Sequence, residues 1–170
     1  MLIPIADRII FGIQGNHGYR SVKSNYLDPE RDICRALGAE YYTGFVCMDV
    51  ICQDYRWEFY AIHGRSNAQT PQGRMTQLMK KNQWCSSQFY LMGHVHDLQD
   101  FYDHEVVRDP VNLTLKLKKR YYVITGTTQE YFDSYAYRWA LQPNKSGFAR
   151  LNMYCDGSDE PGDYDVDLKW

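Results

Sequence analysis

Four of the five histidines in this chain stand just beyond an apolar run and beside or near a glycine. RIIFGIQ at 8–14 runs into Gly15-Asn16-His17-Gly18. RWEFYAI at 56–62 runs into His63-Gly64. The short run at 88–92 delivers Gly93-His94-Val95-His96. This repeated placement constrains the fold more than any other feature. Runs of this length, rich in β-branched and aromatic residues, are expected to be strands. Strand ends in a layered α/β domain face a common edge, and ligands bind at such edges. A glycine beside each histidine lets backbone approach a ligand without a Cβ in the way.

The remaining pattern fits that frame. Gly15 to Gly18 reads as a tight turn at a strand end. A helix is expected at 29–37, with Asp28 as cap, Pro29 in the first turn and Gly38 as stop. Segments 41–53 and 56–62 read as a hairpin turning near Gln53-Asp54-Tyr55. Polar RSNAQTPQG at 65–73 is a loop, followed by a helix at 73–83 with Met75, Leu78 and Met79 as its apolar stripe. Further strands are expected near 101–107, 111–118, 120–126 and 147–155. Leu113, Leu115 and Leu117 alternate with Thr114, Lys116 and Lys118, which assigns them to opposite faces. Residues 156–170 form an acidic tail, either solvated or ending in one strand at 164–170. No internal repeat is present, so 1–155 reads as one α/β domain, a size that 170 residues support.

Composition excludes several classes. The net charge of −2 and the lack of a long basic run argue against holding nucleic acid by bulk charge. No apolar run approaches membrane-spanning length. The five cysteines are odd in number and form no C-x-x-C, which argues against a disulfide framework or an all-cysteine zinc site. Reduced, mostly buried thiols in a cytoplasmic protein are expected.

Each candidate residue also has an ordinary explanation. His94 and His96 can aim at one ion or at two neighbouring ions, since neutral imidazole is a common metal ligand; they can equally be solvated loop histidines. Asp97 is placed to accept a proton from a ligand imidazole. His63 taken alone reads as an edge histidine. Asn16 taken alone is turn chemistry, although its side-chain carbonyl is a hard oxygen ligand. His17 is better placed to protonate a leaving oxygen than to share an ion with Asn16. Arg20 and Arg65 can hold a substrate phosphate or lie solvated in loops.

Taken in order, Gly15-Asn16-His17, His63-Gly64 and Gly93-His94-Val95-His96 resemble the calcineurin-like metallophosphoesterase family, in particular its small prokaryotic and phage-encoded members. The resemblance runs from about residue 8 to residue 155 and includes YVITGT at 122–127 and the stretch from Pro143 to Gly147. It implies a layered β-sandwich flanked by helices. It also implies a pair of divalent ions (Mn²⁺, Zn²⁺ or Fe²⁺/Fe³⁺) that activate a water against a phosphoester. Asn16, His63 and His94 would hold one ion and His96 the other. His17 would stabilise the transition state or protonate the leaving group. The substrate would be a phosphomono- or phosphodiester, including nucleotides or nucleic acid.

The chain departs from that family in two ways. The D-x-H and G-D motifs expected upstream are not among the 14 residues before Gly15, and Gly18 stands where the family usually has an acid. The expectation is therefore an N-terminally truncated domain that lacks its first strands and the carboxylates between the ions. Without those carboxylates, two doubly charged ions about 3.5–4 Å apart would repel without offset. One ion or none is expected in this chain. The strand at 8–14 is expected to expose an unpaired edge, which favours low stability, a homo-oligomer or a complementing N-terminal segment. Two alternatives stand beside the hydrolase: a non-catalytic remnant or binding module of the same fold, and a mononuclear zinc hydrolase using His63, His94 and His96.

Overall fold

A computed structural model describes residues 3–65, 67–140, 143–144, 146–155 and 164–169. The chain divides into two compact units, Met1–Val46 and Cys47–Trp170. Both are mixed α/β, with sheets flanked by helices.

In the first unit, a 3-10 turn at Ile3–Arg8 precedes β1 (Phe11–Ile13). The strand expected at 8–14 is thus shortened at its start. Helix α1 (Asn16–Asn25) follows directly. The turn expected at Gly15 to Gly18 is instead the first turn of α1, because extended Gly15 occupies the N-cap position. Helix α2 (Pro29–Leu37) has the predicted boundaries. The Asp28 carboxylate accepts from Arg31 N–H, and Gly38 closes the helix at φ 70°. The chain then returns as β2 (Glu40–Tyr42), which pairs in parallel with β1. Helix α2 packs on both strands, and β1 has no second neighbouring strand among the described residues.

The second unit is built on a sheet with the strand order β3-β4-β5-β7-β8-β9, and β6 also pairs with β7. Its strands are β3 (Phe45–Cys52, which begins before the division), β4 (Tyr55–Ile62), β5 (Phe89–Met92), β6 (Leu98–Arg108), β7 (Leu115–Thr127), β8 (Gly147–Met153) and β9 (Tyr164–Lys169). Helix α3 (Pro71–Met79) lies between β4 and β5, capped by Thr70 and continued as a 3-10 turn at Lys80–Gln83. A short α4 (Tyr135–Arg138) follows β7. Strands β4, β5 and β7 run parallel.

Each of these three strands carries two consecutive aromatic residues, and period-two alternation sends them to opposite faces. On one face, Phe59, Phe89 and Tyr121 stand in register, with centroids 4.6 Å and 6.0 Å apart and nearly parallel rings. On the other face Tyr60, Tyr90 and Tyr122 repeat the ladder at 5.9 Å and 4.9 Å. Met75 and Leu78 of α3 cover the tyrosine ladder. Ala149, Leu151 and Met153 of β8 cover the phenylalanine side. A one-residue slip would break both ladders at once and move each core set to the wrong face. The aromatic pairs therefore set which strand ends lie level.

The strands expected at 111–118 and 120–126 are one, β7. The break falls earlier, where the Asp109 carboxylate accepts from Val111 N–H, Asn112 N–H and the Asn112 amide and so forms a turn. Beyond the core, β6 and β7 continue as a two-stranded arm. Its ionic face is anchored by Lys118 to Glu58 and by Arg120 to Asp103. Leu113, Leu115 and Leu117 are all exposed. Of the expected acidic tail, residues 156–163 and 170 lie outside the described residues; Tyr164–Lys169 is β9, antiparallel to β8. Among the described residues, no helix is long and apolar enough to cross a membrane.

Candidate active site

In the second unit the aromatic ladders bring Ile62 and Met92, at the ends of β4 and β5, side by side with Ile124 of β7, which runs on to Thr127. His63 and Gly93, one step further on, are therefore neighbours, and Gly93 N–H donates to the Ile62 carbonyl at 3.3 Å. The His63 Nε2 and His94 Nδ1 atoms are 3.0 Å apart, with ring centroids at 4.9 Å. Both histidines are half-buried. Gly64 has φ +85°, and a Cβ there would lie 2.4 Å from Cγ of buried Met92. Glycine is required for β4 to turn away and leave His63 at this edge.

The Gly93-His94-Val95-His96 segment turns sharply. Val95 N–H donates to the Gly93 carbonyl at 2.9 Å, and His94 (φ 69°) and His96 (φ 52°) both occupy the left-handed region. Non-glycine residues there cost roughly 1 kcal/mol or more each, and such strain concentrates at functional sites. Between them, Val95 packs against the tyrosine-ladder core. The two flanking histidines line a cavity of about 500 Å³. Arg74, Asn67, Gln69, Thr127, Gln129, Glu130, Tyr131 and Asn144 complete much of its wall. Asn144 also donates to the His96 carbonyl at 2.5 Å.

Asp97 anchors the turn. Its carboxylate accepts from Arg74 Nη1 at 3.0 Å, from Leu98 N–H at 3.0 Å and from the Gln99 side-chain amide. The expected role of Asp97 was to accept from a ligand imidazole. The structure adds a partner the sequence did not suggest, the guanidinium of buried Arg74. Arg74 also donates through Nε to the Ala68 carbonyl at 3.3 Å, which ties the segment just before α3 to the same anchor. Sequence reasoning missed Arg74. The available signal was an arginine adjoining Met75 on the buried side of α3. Glu130 and Asn144 carried no local signal. Arg65 is exposed in the loop after Gly64.

The first unit holds the other candidates on one helix. Asn16 opens α1 and is half-buried, whereas His17 and Arg20 are exposed. Gly18 is buried beneath the Glu30 carboxylate, and a Cβ at position 18 would lie 1.7 Å from Glu30 Oε2. A carboxylate thus sits at the first turn of α1 after all, supplied by α2, and its Oε2 is buried with no hydrogen-bond partner among the described residues. Nearby, the Tyr41 hydroxyl donates to Asp28 at 2.8 Å. Burial, and then that carboxylate, raise the Tyr41 phenol well above its ordinary pKa.

A spacing of 3.0 Å between the His63 and His94 nitrogens fits an N–H···N hydrogen bond. It also fits two nitrogens sharing one ion: bonds of about 2.0–2.1 Å at near-tetrahedral or right angles place them about 2.9–3.4 Å apart. A proton and a metal ion would therefore compete for this position. Among the described residues, no group of three or more His, Cys, Asp or Glu side chains is arranged to hold a metal ion. The His63 and His94 nitrogens fit part of a site for one ion. Comparison with protein-family models, curated proteins and solved structures gives no match to this chain.

Proposed function

We propose that this chain is a metal-dependent phosphoester hydrolase with a calcineurin-like layered fold, its chemistry centred on His63 and His94. The observation that carries the reading is the 3.0 Å approach of those two imidazoles at the ends of adjacent parallel strands, beside a cavity that His94 and His96 line. A divalent ion held there would supply Lewis-acid stabilisation of phosphoryl charge. The protein's own contribution is positional. The Arg74–Asp97 pair fixes the turn that carries both histidines, and the amides of Asn67, Gln69 and Asn144 offer neutral donors to phosphate or sugar oxygens. The cavity volume suits a nucleotide-sized phosphoester. Arg65, exposed in the loop after Gly64 in the same unit, is the proposed phosphate contact.

Two tests follow. Mn²⁺ or Zn²⁺ at millimolar concentration should raise the melting temperature, and His94→Ala should abolish the rise. Hydrolysis of nitrophenyl phosphate mono- and diesters should depend on the same metal and fall at least 100-fold in His63→Ala and His94→Ala. Absence of both a metal-linked shift and turnover would leave a non-catalytic binding module. A single ion per chain with full activity would favour the mononuclear alternative, which the His63–His94 contact also supports.

A further inference from the structure

The cysteines show an arrangement that their spacing in sequence conceals. Cys52 Sγ lies 2.7 Å from Cys155 Sγ, across 103 residues of chain. Cys47 Sγ lies 3.3 Å from Cys85 Sγ. Both pairs begin on β3, an edge strand of the larger sheet. Alternation along the strand sends Cys52 to the phenylalanine-ladder face together with Met48 and Val50, and Cys155 reaches that face just after β8. None of the five cysteines is in a disulfide.

We propose that Cys52 and Cys155 form an oxidation-dependent disulfide that clamps edge strand β3 to the end of β8. A bonded pair sits about 2.05 Å apart, so closure requires movement of roughly two-thirds of an ångström. Both side chains are half-buried, which leaves room for a small oxidant to reach one sulfur. The oxidant is a hydroperoxide. One thiolate attacks the peroxide oxygen and becomes a sulfenic acid while hydroxide or alkoxide leaves. The second thiol then displaces that oxygen as water and forms the S–S bond. Two thiols thus lose two electrons and two protons, and the peroxide is reduced to water or to water and an alcohol. The Cys47 and Cys85 sulfurs are further apart, at 3.3 Å, and burial, then the neighbouring Cys85 thiol, push the Cys47 thiol up to about 11.

The test uses the full chain, reduced and then treated with millimolar hydrogen peroxide. Remaining thiols are alkylated in the native state, and the protein is mapped by mass spectrometry without reduction. The expected result is a peptide joining Cys52 to Cys155, two hydrogens lighter than the sum of its parts and released by dithiothreitol. Closing a loop of this length should raise the melting temperature by about 10 °C or more. Cys155→Ser should lose both effects, and Cys34→Ser should keep both. If Cys155→Ser does not fold, mapping of the unmutated chain still decides. Alkylation of both Cys52 and Cys155 after peroxide treatment, or linkage of either to a different cysteine, overturns the proposal. Linkage without a rise in melting temperature overturns the clamp.

Discussion

The ion pair between Arg74 and Asp97 should be worth measuring first, because it fixes the turn that carries two of the histidines. The relevant change is Arg74→Met, which keeps an apolar stem over the core and removes the guanidinium. The side chains are 11% and 15% exposed, so this pair is not in the surface class worth 0–1 kcal/mol. It is not dry enough for the full loss of about 3–5 kcal/mol seen on breaking a buried pair. Asp97 also keeps its bonds from Leu98 N–H and the Gln99 amide after the change, which limits the cost. Losing one charged hydrogen bond, together with the Nε bond to the Ala68 carbonyl, should therefore cost about 2–3 kcal/mol. In a chain of this length that corresponds to a fall in melting temperature of about 4–12 °C.

Thermal denaturation followed by circular dichroism reads the loss directly, and a double-mutant cycle with Asp97→Asn isolates the pair. The two single losses should exceed the double loss by about 1.5–2 kcal/mol, because each single change strands a partner that the double change removes. Additive losses, or an Arg74→Met melting temperature within about 1 °C of the parent, would show that the turn does not depend on this contact.

Three further outcomes are expected. Gly64→Ala should cost about 2 kcal/mol or more, from left-handed backbone strain and a Cβ driven against Met92; an unchanged urea midpoint would refute this. Gly18→Ala should be neutral or stabilise by up to about 1 kcal/mol, since alanine favours helix and the flexible Glu30 carboxylate can swing out to solvate its orphaned oxygen; a clear loss in chemical denaturation would mean that the carboxylate is fixed in place. Burial raises the Tyr60 and Tyr122 phenols above their ordinary value and takes Tyr90 up to about 12. Above pH 10 the unfolded chain therefore releases protons that the fold retains, so stability is full below pH 10 and declines as pH rises toward 12. Absorbance at 295 nm should show these ionisations only together with unfolding, and their appearance in folded protein at pH 10 would contradict the burial argument.

How much of this was legible beforehand depends on the range of the interactions involved. Helix α2 could be read almost to the residue because its signals, Asp28, Pro29 and Gly38, act within one turn of where they stand. The three histidines at the rim of the second unit were legible as strand-end residues, but not as neighbours, because adjacency is a matter of register. A register signal was nonetheless present: Phe59-Tyr60, Phe89-Tyr90 and Tyr121-Tyr122 are consecutive aromatic pairs, one on each of three strands, and matching them aligns His63 with Gly93. In β7, Lys116, Lys118 and Arg120 read locally only as polar positions of a strand. Their partners, Asp109, Glu58 and Asp103, lie on earlier segments, and only the folded sheet brings them together. Asp97 illustrates the limit of local inference: its bond from a guanidinium 23 residues away in α3 has no local signal in the sequence. The histidine contact is therefore a by-product of core packing: the aromatic ladders that bury the sheet also bring the imidazoles within hydrogen-bonding distance, so a repacked ladder should separate His63 from His94 without any change to either residue.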